Sequence, residues 1–372
     1  MKKTTLKGVR YSYLPQQFED CEELWQQLRE FVKTGDFTLG RPLIDFETNF
    51  SSLIGTKYAI GVNSGTDAIK LSLKAMGVGI GDEVITSANT FVATVGAIME
   101  IGATPVFVDC DDTFCMNVDL VKSKISEKTK AIVPVHYTGY MTDMRKLLPI
   151  AKDHNLLVVE DACQSILGAI NNKNAGTWGK SAAFSLHPLK NINVWADGGV
   201  IVTDDEELEY RVRLLRNHGL VDRDTVVEMG YNSRLDTIQA VVGNWLLPKA
   251  EEICNKRIQN AYYYDKSFSS IKQIDVPPRP QSFKIVYHLY IVFAENRDEL
   301  LQYCLEKGIE AKVHYPIPIY RQPALQHLGF KKGDFPISDS HTTKMITFPC
   351  DQHLEKEEMD YIIETVKSFY GY

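Results

Sequence analysis

Lys190 is the residue whose type and surroundings could most readily do chemistry. It lies between two apolar segments, residues 182–186 and 200–202, that are typical of short buried strands, and the pair Gly198-Gly199 marks a turn before the second. Burial disfavours the charged form of a lysine, and a neutral amine attacks carbonyl carbon to form a Schiff base. The pattern therefore indicates a nucleophilic lysine, although a loop lysine that reaches solvent would fit the same spacing.

Asp161 is a carboxylate placed where a ligand could meet it. It follows the apolar residues 156–159, so we expect it at the end of a buried strand. Ligands of open α/β sheets bind outside the carboxyl ends of the strands, and a carboxylate there without a partner nearby in sequence favours a cationic ligand. A protonated pyridine nitrogen would be such a ligand. A structural carboxylate that caps the next helix is the alternative.

A turn of small residues, Asn63-Ser64-Gly65-Thr66, joins a predicted strand at 58–62 to a predicted helix. Ser64 suits the N-cap position, and Gly65 lets the backbone approach a ligand closely. Free amide groups and the helix dipole converge at such a turn and can bind an anion such as phosphate. An ordinary capped helix also explains this turn.

The order of elements predicts the fold. Predicted strands alternate with helices through the first 200 residues, which is the pattern of a parallel α/β sheet. Phe91 follows the predicted strand 82–86, where it could stack on a ligand or belong to the core. The clearest break is Pro277-Pro278-Arg279-Pro280. Beyond it we predict an α+β unit with strands at 285–293 and 309–313, a helix at 299–307 and a final helix around 359–369.

Composition narrows the class of protein. The 372 residues carry a net charge of −7 with a pI near 5.8, which gives no support for a nucleic-acid or anionic-membrane partner. The seven cysteines are scattered and form no Cys-x-x-Cys pair, so we expect reduced thiols and neither disulfides nor a metal site. No signal peptide and no apolar run of roughly 20 residues is visible. We therefore expect a cytoplasmic protein.

Taken together, Ser185, Lys190 and Gly198-Gly199 resemble the lysine segment of the DegT/StrS family of pyridoxal-phosphate-dependent sugar aminotransferases. Ala196 replaces the first glycine of the turn that the family carries after its lysine. Some members of the family replace the lysine by histidine and catalyse dehydration instead. Because Lys190 is present, the resemblance favours transamination.

The resemblance implies a fold and a set of site residues. The fold is of the type I aspartate-aminotransferase class: a large domain with a mostly parallel mixed sheet, residues 1–250, and a smaller C-terminal α+β domain, residues 251–372. The cofactor is pyridoxal 5′-phosphate (PLP). Lys190 and Asp161 are the implied catalytic residues. The other implied cofactor contacts are Gly65, Thr66, Phe91, Gln164, Ser185 and, reaching the partner subunit's phosphate, Asn232; candidate substrate contacts are His187, His314 and Tyr315.

The implied reaction moves an amino group from an amino acid, L-glutamate, to a keto sugar. The sugar is expected to be nucleotide-linked and to serve deoxyamino-sugar, surface-polysaccharide or antibiotic biosynthesis. The family works as homodimers with shared active sites. Two other functions remain open at this point: a glutamine-dependent aminotransferase of an inosose ring, and a regulatory protein that binds PLP without turnover.

Overall fold

A computed structural model describes residues 8–372. The thirteen strands are β1 Tyr58–Val62, β2 Glu83–Ser87, β3 Thr104–Val108, β4 Thr129–Val133, β5 Leu157–Asp161, β6 Ala169–Ile170, β7 Lys173–Asn174, β8 Ser181–Ser185, β9 Gly199–Thr203, β10 Ile274–Asp275, β11 Phe283–Lys284, β12 Tyr290–Ala294 and β13 Met345–Phe348. The twelve α-helices are α1 Leu14–Gln17, α2 Glu22–Thr34, α3 Arg41–Ile54, α4 Gly65–Ala75, α5 Val92–Glu100, α6 Met144–Asp153, α7 Glu206–Arg216, α8 Thr237–Leu246, α9 Ala250–Phe268, α10 Arg297–Glu306, α11 Pro336–Lys344 and α12 Lys356–Tyr370.

Seven strands form the central sheet, in the order β1-β9-β8-β5-β4-β2-β3. The pairs β8–β5, β5–β4, β4–β2 and β2–β3 are parallel, whereas β9 runs antiparallel to both of its neighbours. Six strands therefore point the same way and end at one edge, where the reversed β9 begins. This arrangement confirms the predicted α/β fold with a mostly parallel mixed sheet.

Both faces of the central sheet are covered by helices. Ile60 and Val62 pack with the apolar faces of α4, α5 and α7, while Ala59, next to Ile60 in sequence, packs on the opposite face with α2, α3 and α8. Alternate residues of a strand point to opposite faces, so a sheet buried on both sides needs apolar residues throughout. This explains why the strands appear in the sequence as continuous apolar runs.

The C-terminal part forms a second unit around the antiparallel sheet β10-β12-β13. Its core includes residues of α9, α10, α12 and this sheet, together with Val9 and Tyr13 from the start of the described chain and with Phe114, Tyr137 and Tyr140 from loops of the large sheet. Val9 is joined to Ile309 by a parallel bridge. The division of the chain at residue 250 stays a prediction. Within residues 8–372, none of the helices has the length and apolar character needed to cross a membrane.

Two predicted strands differ from the structure. The predicted strand 285–293 forms only from Tyr290 onward, because Tyr287 adopts a left-handed backbone with φ of 46°. The preceding residues bond instead to a loop of the large sheet: the Val286 amide donates to the Gly139 carbonyl and the Leu289 amide to that of Thr138, both at 3.1 Å. The segment 309–313 makes only isolated bridges. Long-range contacts therefore override local strand propensity here.

Candidate active site

The carboxyl edge of the central sheet opens into a cleft of about 320 Å³. Asp161 is the last residue of β5 and Ser185 the last residue of β8, and Gly65 follows shortly after the end of β1. Because these strands are parallel, their carboxyl ends bring these three residues, which are distant in sequence, to one place.

Lys190 lies in the turn between β8 and β9. The turn is held by the Lys190 amide, which donates to the His187 carbonyl at 2.8 Å, and by Asn193 Nδ2, which donates to the Lys190 carbonyl at 3.1 Å. The side chain keeps some contact with water in the cleft but is surrounded by protein atoms. Burial lowers the pKa of Lys190, while the nearby Cys163 thiol and Asp161 carboxylate act in the opposite direction. The amine is therefore easier to deprotonate than an ordinary lysine.

The Asp161 carboxylate is fixed by two hydrogen bonds. Thr94 Oγ1 donates to Oδ2 at 2.7 Å, and the Cys163 amide donates to Oδ1 at 3.2 Å. Thr94 Oγ1 also contacts Thr90 Oγ1 at 2.7 Å. Asp161 is 5% exposed and faces the cleft, so a cationic group bound there would meet a carboxylate whose orientation is already set.

The start of α4 forms a close-packed cradle. Ser64 caps this helix, its Oγ accepting from the Asp67 amide at 3.1 Å. A Cβ atom added at Gly65 would lie 2.8 Å from both Cys163 Sγ and Ser185 Cβ, and one added at Gly199 would lie 2.2 Å from the Ser64 carbonyl oxygen. Both positions therefore require glycine. Gly65 and Thr66, in the first turn of α4 where amides lack helical partners, line the cleft, as a bound phosphate would need.

Gln164 and two aromatic rings complete the wall of the cleft. Gln164 Oε1 accepts from the Thr138 amide at 2.7 Å, which leaves the Gln164 amide nitrogen to donate elsewhere. The ring of Phe91, 47% exposed, lies 5.6 Å from that of Tyr315 with an interplanar angle of 34°. Phe91 is thus not a core residue, and its face is available to a planar ligand.

The histidines of the cleft are held neutral. Burial, followed by the positive charges of Lys312 and Lys190, lowers the pKa of His314 to about 4, and His314 Nδ1 is 2.9 Å from Thr347 Oγ1. Burial and Lys190 also lower the pKa of His187. Burial raises the pKa of Tyr315 to about 12, so its hydroxyl remains a hydrogen-bond donor at neutral pH.

The structure brings together all but one of the residues singled out from the sequence. Lining the cleft are Gly65, Thr66, Phe91, Asp161, Gln164, Ser185, His187, Lys190, His314 and Tyr315. Asn232 does not line it: this residue is exposed and bridges to Asn217 in the strand-like segment that precedes α8. The role of Asn232 at a partner subunit stays a prediction.

Sequence analysis missed several further lining residues, four of which matter for the chemistry: Thr94, Lys312, Tyr11 and His288. Lys312 Nζ lies 4.2 Å from the centre of the Tyr11 ring, and His288 Nε2 lies 3.5 Å from Lys190 Nζ. His288 carries a signal that could have been noticed, since it is the only histidine in the apolar run 285–293. The other three have no local sequence signal.

These features fit an aldehyde cofactor that carries a phosphate and a ring nitrogen. The chain offers an amine with a lowered pKa, a glycine cradle at a helix start, a fixed carboxylate and an exposed aromatic face. No group of three or more His, Cys, Asp or Glu side chains within residues 8–372 is arranged to hold a metal ion.

Comparison with known proteins agrees with this geometry. The sequence model of the DegT/DnrJ/EryC1/StrS aminotransferase family matches residues 19–367. The chain belongs to this family. It is therefore a sugar aminotransferase whose cofactor is PLP, and the family resemblance found in the sequence is confirmed.

Three similar proteins illustrate the relationship. The "Pleiotropic regulatory protein" of Geobacillus stearothermophilus is 37% identical, with 96% of this chain and 97% of the relative covered. The dTDP-3-amino-3,6-dideoxy-alpha-D-galactopyranose transaminase of Aneurinibacillus thermoaerophilus is 36% identical over 94% of this chain and 96% of the relative. The crystal structure of S. venezuelae DesV with a ketimine intermediate has a TM-score of 0.96 at 33% identity, covering 98% of this chain and 99% of DesV. These similarities confirm the predicted fold class of this DegT-family member.

Proposed function

We propose that this DegT-family enzyme transfers an amino group from L-glutamate to the keto group of a nucleotide-linked sugar. Relatives that match almost the whole chain are named as transaminases of dTDP-linked and UDP-linked sugars, which supports a nucleotide on the acceptor. The observation that carries the proposal is the pairing of Lys190, with its lowered pKa, and the fixed Asp161 carboxylate in one cleft.

Lys190 is proposed to act twice. Its neutral amine would hold the cofactor through the aldehyde carbon, with loss of water, and Nζ, once released by the substrate amine, would accept a proton from the substrate α-carbon and later return one. PLP, when bound, supplies an electron sink for the charge left on the substrate carbon. A lysine with a lowered pKa suits both roles because it gives up its proton more readily than an ordinary lysine.

The remaining lining residues are proposed to orient the cofactor. The Asp161 carboxylate would hold the ring nitrogen protonated, and the free amide nitrogen of Gln164 would donate to the phenolic oxygen. Phe91 would cover one face of the ring. The phosphate would lie at the start of α4, against Gly65 and Thr66, with Ser185 beside it.

The sugar side of the cleft is assigned to His187, His314 and Tyr315. The lowered pKa values of both histidines leave them neutral near pH 7, so they can serve as hydrogen-bond donors and acceptors for sugar hydroxyls. We place the enzyme in the cytoplasm, where nucleotide-linked precursors of surface polysaccharides or antibiotics would be aminated.

A homodimer with shared sites is also proposed. Asn232 is exposed, yet its neighbour Ser233 is buried and donates through Oγ to Asp67 Oδ2, in the first turn of α4, at 2.8 Å. The segment is therefore anchored beside the proposed phosphate cradle while Asn232 faces outward. From this position Asn232 could reach the phosphate of a second subunit related by two-fold symmetry.

Covalent labelling tests the assignment of Lys190. Reduction of the PLP-loaded protein with borohydride, followed by peptide mapping, should place the pyridoxyl group on Lys190. The Lys190→Ala protein should take up no label, whereas Lys312→Ala, which removes another lysine of the same cleft, should be labelled as wild type. Label on any other lysine of the wild-type protein would contradict the assignment.

Single-turnover assays test donor and acceptor separately. Glutamate should convert the bound cofactor to its aminated form, which is followed by absorbance, and glutamine should do so much more slowly. The aminated enzyme should then react with dTDP-linked or UDP-linked keto sugars at least about 10-fold faster than with the free sugar, because the nucleotide supplies binding energy. Equal rates would refute the nucleotide requirement. The inosose and non-catalytic alternatives are not favoured by the comparisons.

A further inference from the structure

A second cavity adjoins the cleft at Lys190. Its space of about 20 Å³ is enough for one water molecule, and both Lys190 and His288 line it. The rest of its polar lining includes Tyr11, Gln17 and the ion pair of Arg257 with Asp351, whose atoms are 3.4 Å apart. A buried water needs two to four polar partners, and this lining provides them.

His288 lies beside Lys190 and lines both cavities with it. Its Nε2 lies 3.5 Å from Lys190 Nζ, and its Nδ1 is buried with no hydrogen-bond partner anywhere in residues 8–372. The backbone around His288 is held firmly, since the Leu289 amide donates to the Thr138 carbonyl at 3.1 Å and Arg257 donates to the Tyr287 carbonyl at 3.3 Å. These bonds fix the backbone that carries the imidazole.

The contact with Lys190 determines which nitrogen of His288 carries the proton. Lys190 has only donors when it is protonated and can still donate as a neutral amine, so we assign the ring nitrogen that faces it as the acceptor. In a neutral imidazole one nitrogen accepts and the other donates, which places the proton on Nδ1. Burial, and after it the charge of Lys190, lowers the pKa of His288 well below its ordinary value, which agrees with a neutral ring.

We propose that His288 is a positioning residue for Lys190, accepting a hydrogen bond from Lys190 Nζ at Nε2 and donating from Nδ1–H to a water in the small cavity. This chain of contacts explains the unpartnered Nδ1 and the polar cavity together. It also gives the flexible lysine a preferred direction. Positioning matters because a reacting group displaced by about 1 Å can lose about 10²-fold in rate.

The first test is made on the full chain without added PLP. Nitrogen-15 NMR of histidine-labelled protein, with His288→Gln used to assign the signal, should show His288 at pH 7 as a single neutral tautomer protonated at Nδ1. In Lys190→Met, which removes the donor, the preference for that tautomer should weaken. An Nε2-protonated ring, an imidazolium, or a tautomer unaffected by Lys190→Met would overturn the proposal.

The second test compares two variants of similar size. Gln can still accept from Lys190 and donate to the water, whereas Met can do neither. We expect His288→Gln to keep kcat within about 3-fold of wild type and His288→Met to lose at least about 10-fold in kcat, with KM changed by less than about 3-fold. Equal losses in both variants, or no loss in either, would refute a positioning role.

The kinetic comparison rests on the proposed function, but the NMR measurement does not. If the tautomer is as expected and no keto sugar is aminated, the proposed substrate fails while the role of His288 stands. If keto sugars are aminated and the tautomer differs from the expected one, the proposed function stands while the role of His288 fails. Unfolding temperatures of both His288 variants show whether lost activity reflects lost structure.

Discussion

Replacing Asp161 by Asn separates the charge of this side chain from its shape. Asn has the same size, and its carbonyl oxygen can still accept from the Cys163 amide. The second contact must reverse, because Thr94 Oγ1 now donates to a carboxylate oxygen and would have to accept from an amide NH₂. Thr94 can do this since its hydroxyl also contacts Thr90 and either oxygen can donate.

The expected magnitudes differ for folding and catalysis. Exchange of two charged hydrogen bonds for neutral ones should lower the free energy of unfolding by about 2 kcal/mol. Loss of the charge that faces the proposed ring nitrogen should cost about 10²- to 10³-fold in kcat, which corresponds to about 2.7–4 kcal/mol in the barrier. The increase in the catalytic barrier should therefore exceed the loss in the free energy of unfolding.

The Asp161→Asn substitution should slow turnover but increase the reactivity of the Lys190 amine. Because Asp161 raises the pKa of Lys190, its removal should lower that pKa further and leave more neutral amine at pH 7. An amine-selective reagent should then modify Lys190 of the cofactor-free variant faster than in wild type, even though turnover is slower. A simple loss of site structure would slow both reactions.

The assay measures kcat, cofactor content and thermal unfolding of Asp161→Asn beside Asp197→Asn. Asp197 is an exposed carboxylate that lines the same cleft, so its substitution changes the net charge equally. We expect Asp161→Asn to retain bound cofactor and lose at least about 10²-fold in kcat, and Asp197→Asn to lose far less. A folded Asp161→Asn protein with near-normal turnover, or equal losses in both variants, would refute the reasoning.

Other parts of the structure lead to three further predictions. Gly199→Ala should destabilise the fold by about 1–3 kcal/mol and weaken PLP binding, because its Cβ would lie 2.2 Å from the Ser64 carbonyl oxygen. Denaturant unfolding and a PLP titration would measure the two effects. An unchanged free energy of unfolding and an unchanged PLP affinity would contradict the prediction. Burial lowers the pKa of His341 to about 4, below the unfolded value near 6.5. Between these pH values the unfolded state binds one more proton at this residue, so the free energy of unfolding should fall as the pH drops from about 6.5 to 4. His341→Phe should reduce this fall, and an unchanged pH dependence of unfolding would exclude His341 as its source. Mixing Lys190→Ala with Asn232→Ala protein should recover roughly a quarter of wild-type activity per total site if closed two-fold dimers exchange subunits at random. No recovery after mass spectrometry has confirmed exchange would show that Asn232 does not serve a partner's site.

Helices and strands with continuous local patterns were predictable from the sequence. The strands Tyr58–Val62 and Glu83–Ser87 and the final helix Lys356–Tyr370 occur close to where they were expected, because apolar periodicity acts within a few residues. The segment 285–289 could not be predicted in this way. Its apolar, β-branched composition favours a strand, but hydrogen bonds to residues 138 and 139, far away in the chain, hold it in another shape.

The site residues show the same difference between local features and long-range contacts. Lys190, Asp161 and Gly65 could be found from the sequence because each lies beside its own strand end, and strand ends are local features. The sequence motifs that contain these residues also indicated the family of sugar aminotransferases. Only the tertiary structure decided that Thr94 orients Asp161 and that His288 lies 3.5 Å from Lys190. Those contacts join different helices, strands and loops. The packing of the chain decides which residues meet, and the spacing of residues along the sequence does not predict it.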